Sequence, residues 1–246
     1  TDDGKSGLNT LRIKLNREKL SAASDKTTEL KIEGNDGHGA KILVKVHIDA
    51  NEQEILKQVQ NDGVKNTFVQ TADYISMEAP HFVRSSGFDV LDGYGKTLGA
   101  VKAKDITATF NPDSNDAPFV EYAFALSEDY VSRTGGLLAF DFYINPSNPA
   151  YKDNKLQFVV DVNGKKILKD AVDSGKFAVG DNQQPWGTDI TNNIRVATVY
   201  AECHPGLNML KLSPVTPNIV LEKIVIHEAN KAMPYSYLGA PETFRQ

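Results

Sequence analysis

Apolar positions recur along the chain in short runs rich in β-branched and aromatic residues, and clusters of Gly, Pro, Asn and Asp separate them. The runs are Leu11–Leu15, Glu29–Glu33, Lys41–Ile48, Tyr74–Glu78, Phe119–Leu126, Leu137–Ile144, Leu156–Val162, Met209–Leu212 and Ile219–Ile226. Short strands at this spacing, punctuated by turn residues, predict an all-β protein built as a β-sandwich. In Leu156–Val162 the alternation is strict: Leu156, Phe158, Val160 and Val162 share one face, and Gln157, Val159 and Asp161 share the other. Such a strand is buried on one side. Asn163-Gly164 follows at once, before Lys165. Both residues tolerate the positive φ that a two-residue turn demands, so a hairpin is predicted there.

One stretch has a different period. Ile55, Leu56 and Val59 lie at helical spacing within Asn51–Asn61, and Asp62-Gly63 is a stop, which predicts a short helix or an irregular linker. A boundary then falls near residues 50–70. Residues 1–65 read as a β-rich N-terminal segment and linker, either a small β appendage or part of an Ig-like domain, because about three strands are too few for a sandwich of roughly seven. Residues 66–246 read as the sandwich itself.

Composition narrows the function classes. The hydrophobic fraction of 40% over 246 residues supports an ordinary buried core. The net charge is −5, and the cations are spread without a basic block, which argues against nucleic acid as a partner. No apolar run approaches the ~20 residues of a membrane span. Cys203 is the single cysteine, so no intramolecular disulfide forms. The chain starts Thr1-Asp2-Asp3-Gly4-Lys5-Ser6-Gly7 without Met, as a processed form or a fragment would. A polar start of this kind suits the tether behind a cleaved export signal, and a secreted, periplasmic or cell-surface location is the expectation. The residues alone leave the compartment undetermined, since a bacterial exported protein and a cytosolic one would both look like this.

Motifs for catalysis are incomplete. Gly93-Tyr94-Gly95-Lys96-Thr97 evokes a phosphate loop, but Val90 stands where the first glycine is needed, and Gly99 comes one residue late for the dinucleotide fingerprint. A turn is the simpler reading. His38, His47, His81, His204 and His227 show no close metal spacing, and Cys203-His204 are neighbours in sequence, which makes no dyad. Asn111–Asp116 presents oxygen ligands at alternate positions, yet it lacks the sixth-place glycine and has Tyr122 at the twelfth place, so it reads as a polar turn. Glu121, Asp141 and Asp161 lie in predicted strands, where a pair of acids about 5–9.5 Å apart could cleave a glycoside. Scattered acids are also ordinary on a sheet surface, and no catalytic residue is assigned.

Binding chemistry is better supplied. Trp186, the only tryptophan, sits in the loop-like stretch Gln183–Asp189, followed by Asn192, Asn193 and Arg195. A flat apolar face beside amide and guanidinium donors is a candidate sugar platform; a Trp186 that plugs the core is the competing reading. Covering ~100 Å² of one indole face at ~25 cal/mol/Å² supplies only ~2.5 kcal/mol, so binding would be millimolar at best. The tail Pro234–Phe244 carries Tyr235, Tyr237, Leu238 and Phe244. Solvated tails are poor in aromatics, so this one is expected to be ordered and docked through Tyr235, Tyr237 and Leu238.

Two stretches go beyond a generic sandwich. Asn66–Phe82 contains Tyr74-Ile75-Ser76-Met77-Glu78-Ala79-Pro80-His81-Phe82, and Asn208–Leu212, Pro217–Ile226 and Ser236-Tyr237-Leu238-Gly239-Ala240-Pro241-Glu242 follow in order. With Gly95–Val101 and Val120-Glu121-Tyr122, they resemble the C-terminal domain of glycoside hydrolase family 115, the xylan α-glucuronidases, over about residues 66–243. More distantly, Met77-Glu78-Ala79 and the Leu210-Lys211-Leu212 hairpin are similar to galactose-binding-like jelly rolls, including carbohydrate-binding module family 6.

This resemblance implies a jelly-roll sandwich in a bacterial polysaccharide-degrading system, with a possible structural calcium at Glu78 and Glu222. Pro80 replaces a frequent second acid there, and Asn208 stands where His is common. The family's catalytic acids lie in other domains, so none transfers. The expected function is a non-catalytic accessory module that supports or targets a glycoside hydrolase by weak binding of a plant-type polysaccharide or oligosaccharide. The alternatives are a structural or oligomerisation domain packing on a catalytic domain or a second copy of itself, and a stand-alone glycoside hydrolase.

Overall fold

A computed structural model describes residues 26–33, 39–46, 66–71, 73–147, 155–171, 184–234 and 236–245. The chain divides into two units, Thr1–Gln53 and Glu54–Gln246. In the first, β1 (Lys26–Glu33) and β2 (Gly39–Val46) form an antiparallel pair with Lys26 opposite Val46 and Glu33 opposite Gly39. The predicted strand Leu11–Leu15 and the helical pattern Asn51–Asn61 lie outside the described residues.

The second unit is a sandwich of two six-stranded sheets. One sheet runs β11 (Lys165–Asp170), β10 (Gln157–Val162), β13 (Gly206–Pro214), β8 (Phe119–Leu126), β3 (Thr67–Val69), and β5 (Arg84–Ser86) also pairs with β8. The other runs β12 (Arg195–Glu202), β9 (Leu137–Ile144), β14 (Val220–Glu228), β7 (Gly99–Ala103), β6 (Phe88–Asp92), and β4 (Tyr74–Glu78) also pairs with β14. All described pairings are antiparallel except β3 with β8. The all-β sandwich expected from the strand spacing is therefore the fold.

The inward faces of the two sheets interdigitate. Phe124 of β8 meets Phe140 of β9 edge-on at 5.9 Å between ring centroids, and Phe158 of β10 meets Phe142 of β9 at 5.3 Å. Such pairs contribute roughly 0.5–1.5 kcal/mol each beyond the area that they bury. Leu156, Phe158, Val160 and Val162 all lie in this core, as their alternation predicts. The β10–β11 hairpin turns through Asn163 (φ 53°) and Gly164 (φ 86°), the two successive positive φ values of the expected turn.

Two helices decorate the sandwich. In α1 (Glu128–Thr134) the Ser127 side chain accepts from the Tyr130 N–H, and Gly135 closes the helix at φ 68°. The second, α2 (Gln184–Asn192), occupies much of the stretch that the sequence reads as a loop. Pro185 and Gly187 mask it, since both lower helix propensity in general, yet a proline in the first turn removes no hydrogen bond. Asn193 then ends the helix at φ 51°.

Candidate functional site

The site is built on the outer face of the second sheet, and the edge strand β12 supplies its most exposed part. Along β12, Arg195, Ala197, Val199 and Ala201 point inward and are buried, while Val196, Thr198 and Tyr200 point outward. Register sets their neighbours: Val196 lies opposite Tyr143, Thr198 opposite Asp141 and Tyr200 opposite Ala139 on β9. On the other side of β9, Lys223, Val225 and His227 of β14 continue these rows. The β12 and β9 members of these rows, with His227, floor a groove of about 580 Å³, walled by Lys96, Asn192, Ile194, Asn230, Met233 and Pro234. A smaller cavity of about 370 Å³ adjoins it, reaching Asp73, Tyr74 and Pro241, with His227, Lys231 and Met233 shared by both.

Two kinds of surface meet in the groove. Tyr200 is 55% exposed and Val196 46%, so an aromatic ring and a branched aliphatic face solvent on one strand, with Thr198 between them. Deeper, His227 Nε2 lies 3.0 Å from Asp141 Oδ2, Asp141 Oδ1 accepts from the Thr198 hydroxyl at 2.6 Å, and His227 Nδ1 lies 3.0 Å from the Glu228 carbonyl. The hydrogen bond to Asp141 raises the His227 pKa above its usual value, against the opposing effect of burial. An imidazolium satisfies both acceptors at once, since each ring nitrogen then carries a proton. Chemically, the groove offers an open ring to stack on, with hydroxyl, amide and ammonium groups around it.

Sequence reasoning found only the rim of this site. Asn192 does line the groove. Asn193 is exposed at the end of α2, and the Trp186 side chain lies outside what the structure describes. Arg195 is turned inward: Nε donates to Asp189 at 2.7 Å and Nη1 to the Ser147 carbonyl at 2.8 Å, which straps α2 to the sheet. It is a buried anchor of the wall and not a surface donor. Val196, Thr198, Tyr200 and His227 were missed as site residues. For the β12 residues a signal was present, because Val196–Ala201 alternates, with Ala197, Val199 and Ala201 on one face and Val196, Thr198 and Tyr200 on the other.

The three acids considered for catalysis occupy separate places. Asp141 is held by His227 and Thr198. Glu121 accepts from Arg84 Nε and Nη2, and Asp161 accepts from the Gly164 N–H. Lys211 lies opposite both Glu121 and Asp161 in the sheet register, so a lysine position separates the two acids, and its ammonium lies 5.6 Å from the Phe119 ring centroid. Among the described residues, no three His, Cys, Asp or Glu side chains gather to hold a metal ion, and no helix is long and apolar enough to cross a membrane.

Beside the groove, the C-terminal tail is pinned over β4 and β14 by polar contacts. Ser76 Oγ donates to the Ala240 carbonyl, the Thr243 N–H donates to the Ser76 carbonyl, and Glu242 accepts from the Glu78 N–H and contacts His81 Nδ1 at 2.6 Å. Phe244 packs on Val69 and Ala125. Of the residues expected to dock the tail, Tyr237 and Leu238 are more than half exposed, and Tyr235 lies outside the described residues. Tyr237 instead covers Lys96, with Nζ 3.9 Å from its ring centroid.

Under the tail, Glu78 and Glu222 come together among cations. Lys223 Nζ lies 3.0 Å from Glu78 Oε1, and Glu222 Oε2 accepts from the Lys96 N–H at 3.0 Å. Burial raises the Glu222 pKa, opposed by that N–H. Gly95 is required here: its φ is +81°, and a Cβ would fall 2.3 Å from a Glu222 carboxylate oxygen.

Several solved structures are similar. One is a family GH115 4-O-methyl-α-glucuronidase with specificity for decorated arabinogalactans, at 13% identity and TM-score 0.48, covering 65% of this chain and 18% of that one. A family 35 carbohydrate-binding module from Clostridium thermocellum gives 13% identity and TM-score 0.42 over 64% of this chain and 100% of that one. The family 35 module of Cellvibrio japonicus Abf62 gives 14% and 0.39, over 62% and 91%. This chain thus spans less than a fifth of the glucuronidase's length. No curated protein matches. The family model described as Glycosyl hydrolase family 115 C-terminal domain matches residues 67–242, the whole sandwich from β3 into the tail, and the chain therefore belongs to that family.

Proposed function

We propose that the sandwich is a non-catalytic accessory module of a glycan-degrading system, supporting or targeting a glycoside hydrolase by weak carbohydrate binding in the groove on β12, β9 and β14. The observation that carries this reading is Tyr200, an exposed ring on an edge strand, flanked by a groove whose polar groups include Thr198, Asn192 and Asn230. Sugar rings stack an apolar C–H face on an aromatic and turn hydroxyls toward such donors and acceptors. Membership of a glycoside hydrolase domain family supports the same setting. A plant-type polysaccharide and a location outside the cytoplasm, secreted, periplasmic or at the cell surface, complete the reading.

Titration of the labelled protein with xylan- and arabinogalactan-type oligosaccharides, followed by amide chemical shifts, tests it. Saturable shifts confined to Val196–Tyr200, Ala139–Tyr143 and His227 are expected at millimolar ligand. Shifts that map elsewhere, or none with any glycan, would defeat it.

A second reading has its own observation. Leu137, Val196 and Ile190 are each close to half exposed, and Leu137 and Val196 lie on the outward rows of β9 and β12. Apolar groups on an edge strand suit contact with a catalytic domain. Loss of those same amide signals on adding a hydrolase catalytic domain, with no response to sugar, would favour it.

A further inference from the structure

We propose that Lys223 is a resident cation closing this domain: its ammonium takes the place that the family resemblance gives to calcium at Glu78 and Glu222, and the tail docks without a divalent metal. The coordination of Nζ carries the argument. It lies 3.0 Å from Glu78 Oε1, 3.0 Å from the Leu238 carbonyl and 2.9 Å from the Ala240 carbonyl. Of its three N–H donors, two go to the tail carbonyls, and the Glu78 carboxylate lies against the same charge as an ion pair. The Lys223 and Glu78 side chains are each only 4% exposed, so water contributes little to the seat. Two of the oxygens belong to the tail and the third to β4, so the ion joins the tail to the sheet, as a bridging metal does.

The remaining donor set does not suit calcium. That ion takes 6–8 oxygens at about 2.3–2.6 Å, with carboxylates turned toward it. Here the second Glu78 oxygen accepts from the Thr97 hydroxyl, and Glu222 Oε2 accepts from the Lys96 N–H. Both Glu78 oxygens have partners; of the Glu222 oxygens only Oε2 does, and the buried Oε1 is a single oxygen without a hydrogen bond where calcium takes 6–8. A dication brought between the two carboxylates would face the Lys223 ammonium at close range. Register explains how the lysine got there. The irregularity between Leu221 and Lys223 lets Lys223 pair opposite Glu78 while Leu221 stays in the core.

The test uses the full chain and needs no glycan, so its failure is separate from that of the binding reading. Melting temperature and amide exchange across residues 236–243 are measured in excess EDTA and again in millimolar calcium, and terbium luminescence is used as a direct probe for a bound ion. We expect superimposable melts, unchanged tail protection and no sensitised terbium emission. K223M, checked for an intact sandwich by its core amide exchange, should lose protection selectively across the tail. A melting temperature lowered by EDTA or raised by calcium, bound terbium, or a folded K223M with the tail still protected would each overturn the proposal. If K223M does not fold, the three wild-type measurements still decide it.

Discussion

Replacing Tyr200 by Ala separates a sugar platform from a decorative surface residue. The ring is 55% exposed on the outer face of the edge strand β12, so its loss removes little buried area, and the stability change should stay within the ±0.5 kcal/mol usual for surface sites. Its effect on binding should be far larger. A pyranose face laid on the ring would cover roughly 100 Å² of apolar surface, which at ~25 cal/mol/Å² amounts to ~2.5 kcal/mol. Since about 1.4 kcal/mol is tenfold in affinity, Y200A should weaken binding on the order of 60-fold, from millimolar to undetectable. Y200F keeps the ring and drops one hydroxyl, so it should lose no more than the ~0.5–1.5 kcal/mol of a single hydrogen bond. Leu168→Ala, an exposed apolar position on β11 of the other sheet, is the control and should change nothing. The assay is chemical-shift titration with each variant at matched ligand concentrations. A Y200A protein that binds as tightly as wild type would refute the stacking argument, whatever the other variants do.

Further outcomes follow from the buried polar groups. Removing one partner of the Lys223–Glu78 pair leaves a buried charge uncompensated, so K223M and E78Q should each cost about 3–5 kcal/mol, roughly 6–20 °C for a domain of this size, and the double variant should cost less than the sum by thermal denaturation. His227 has a raised folded pKa, so its contribution is fully present below about pH 6.5 and is lost as pH rises through the folded value; H227N should flatten the stability profile over that window in denaturant titrations. Gly95→Ala combines a positive φ with a clash on the Glu222 carboxylate and should lower stability by about 1–3 kcal/mol. The purified chain should release no sugar from glucuronoxylan in a reducing-end assay. Turnover abolished by changing Glu121, Asp141 or Asp161 would reverse that expectation.

What the sequence determined by itself is what depends on near neighbours. The alternation in Leu156–Val162 and the Asn163-Gly164 turn are local, because side-chain period and turn φ are set within a few residues, and both appear in the fold. The predicted runs from Tyr74–Glu78 onward appear as well, whereas β6, β7 and β12 fell in no predicted run. The family motifs were legible for the same reason, as short ordered strings. Tertiary structure decided the site. Whether Val196, Thr198 and Tyr200 face solvent depends on which strands β12 pairs with and in which register, and a one-residue slip would turn Ala197 and Val199 outward instead. Arg195 looked like a free donor until Asp189 and the Ser147 carbonyl closed on it. Lys223 reaches Glu78 and the tail from a strand that begins about 140 positions later in the chain than Glu78. A long-range sheet brings such groups within 3 Å through the sum of its pairings, and no window along the chain contains that sum.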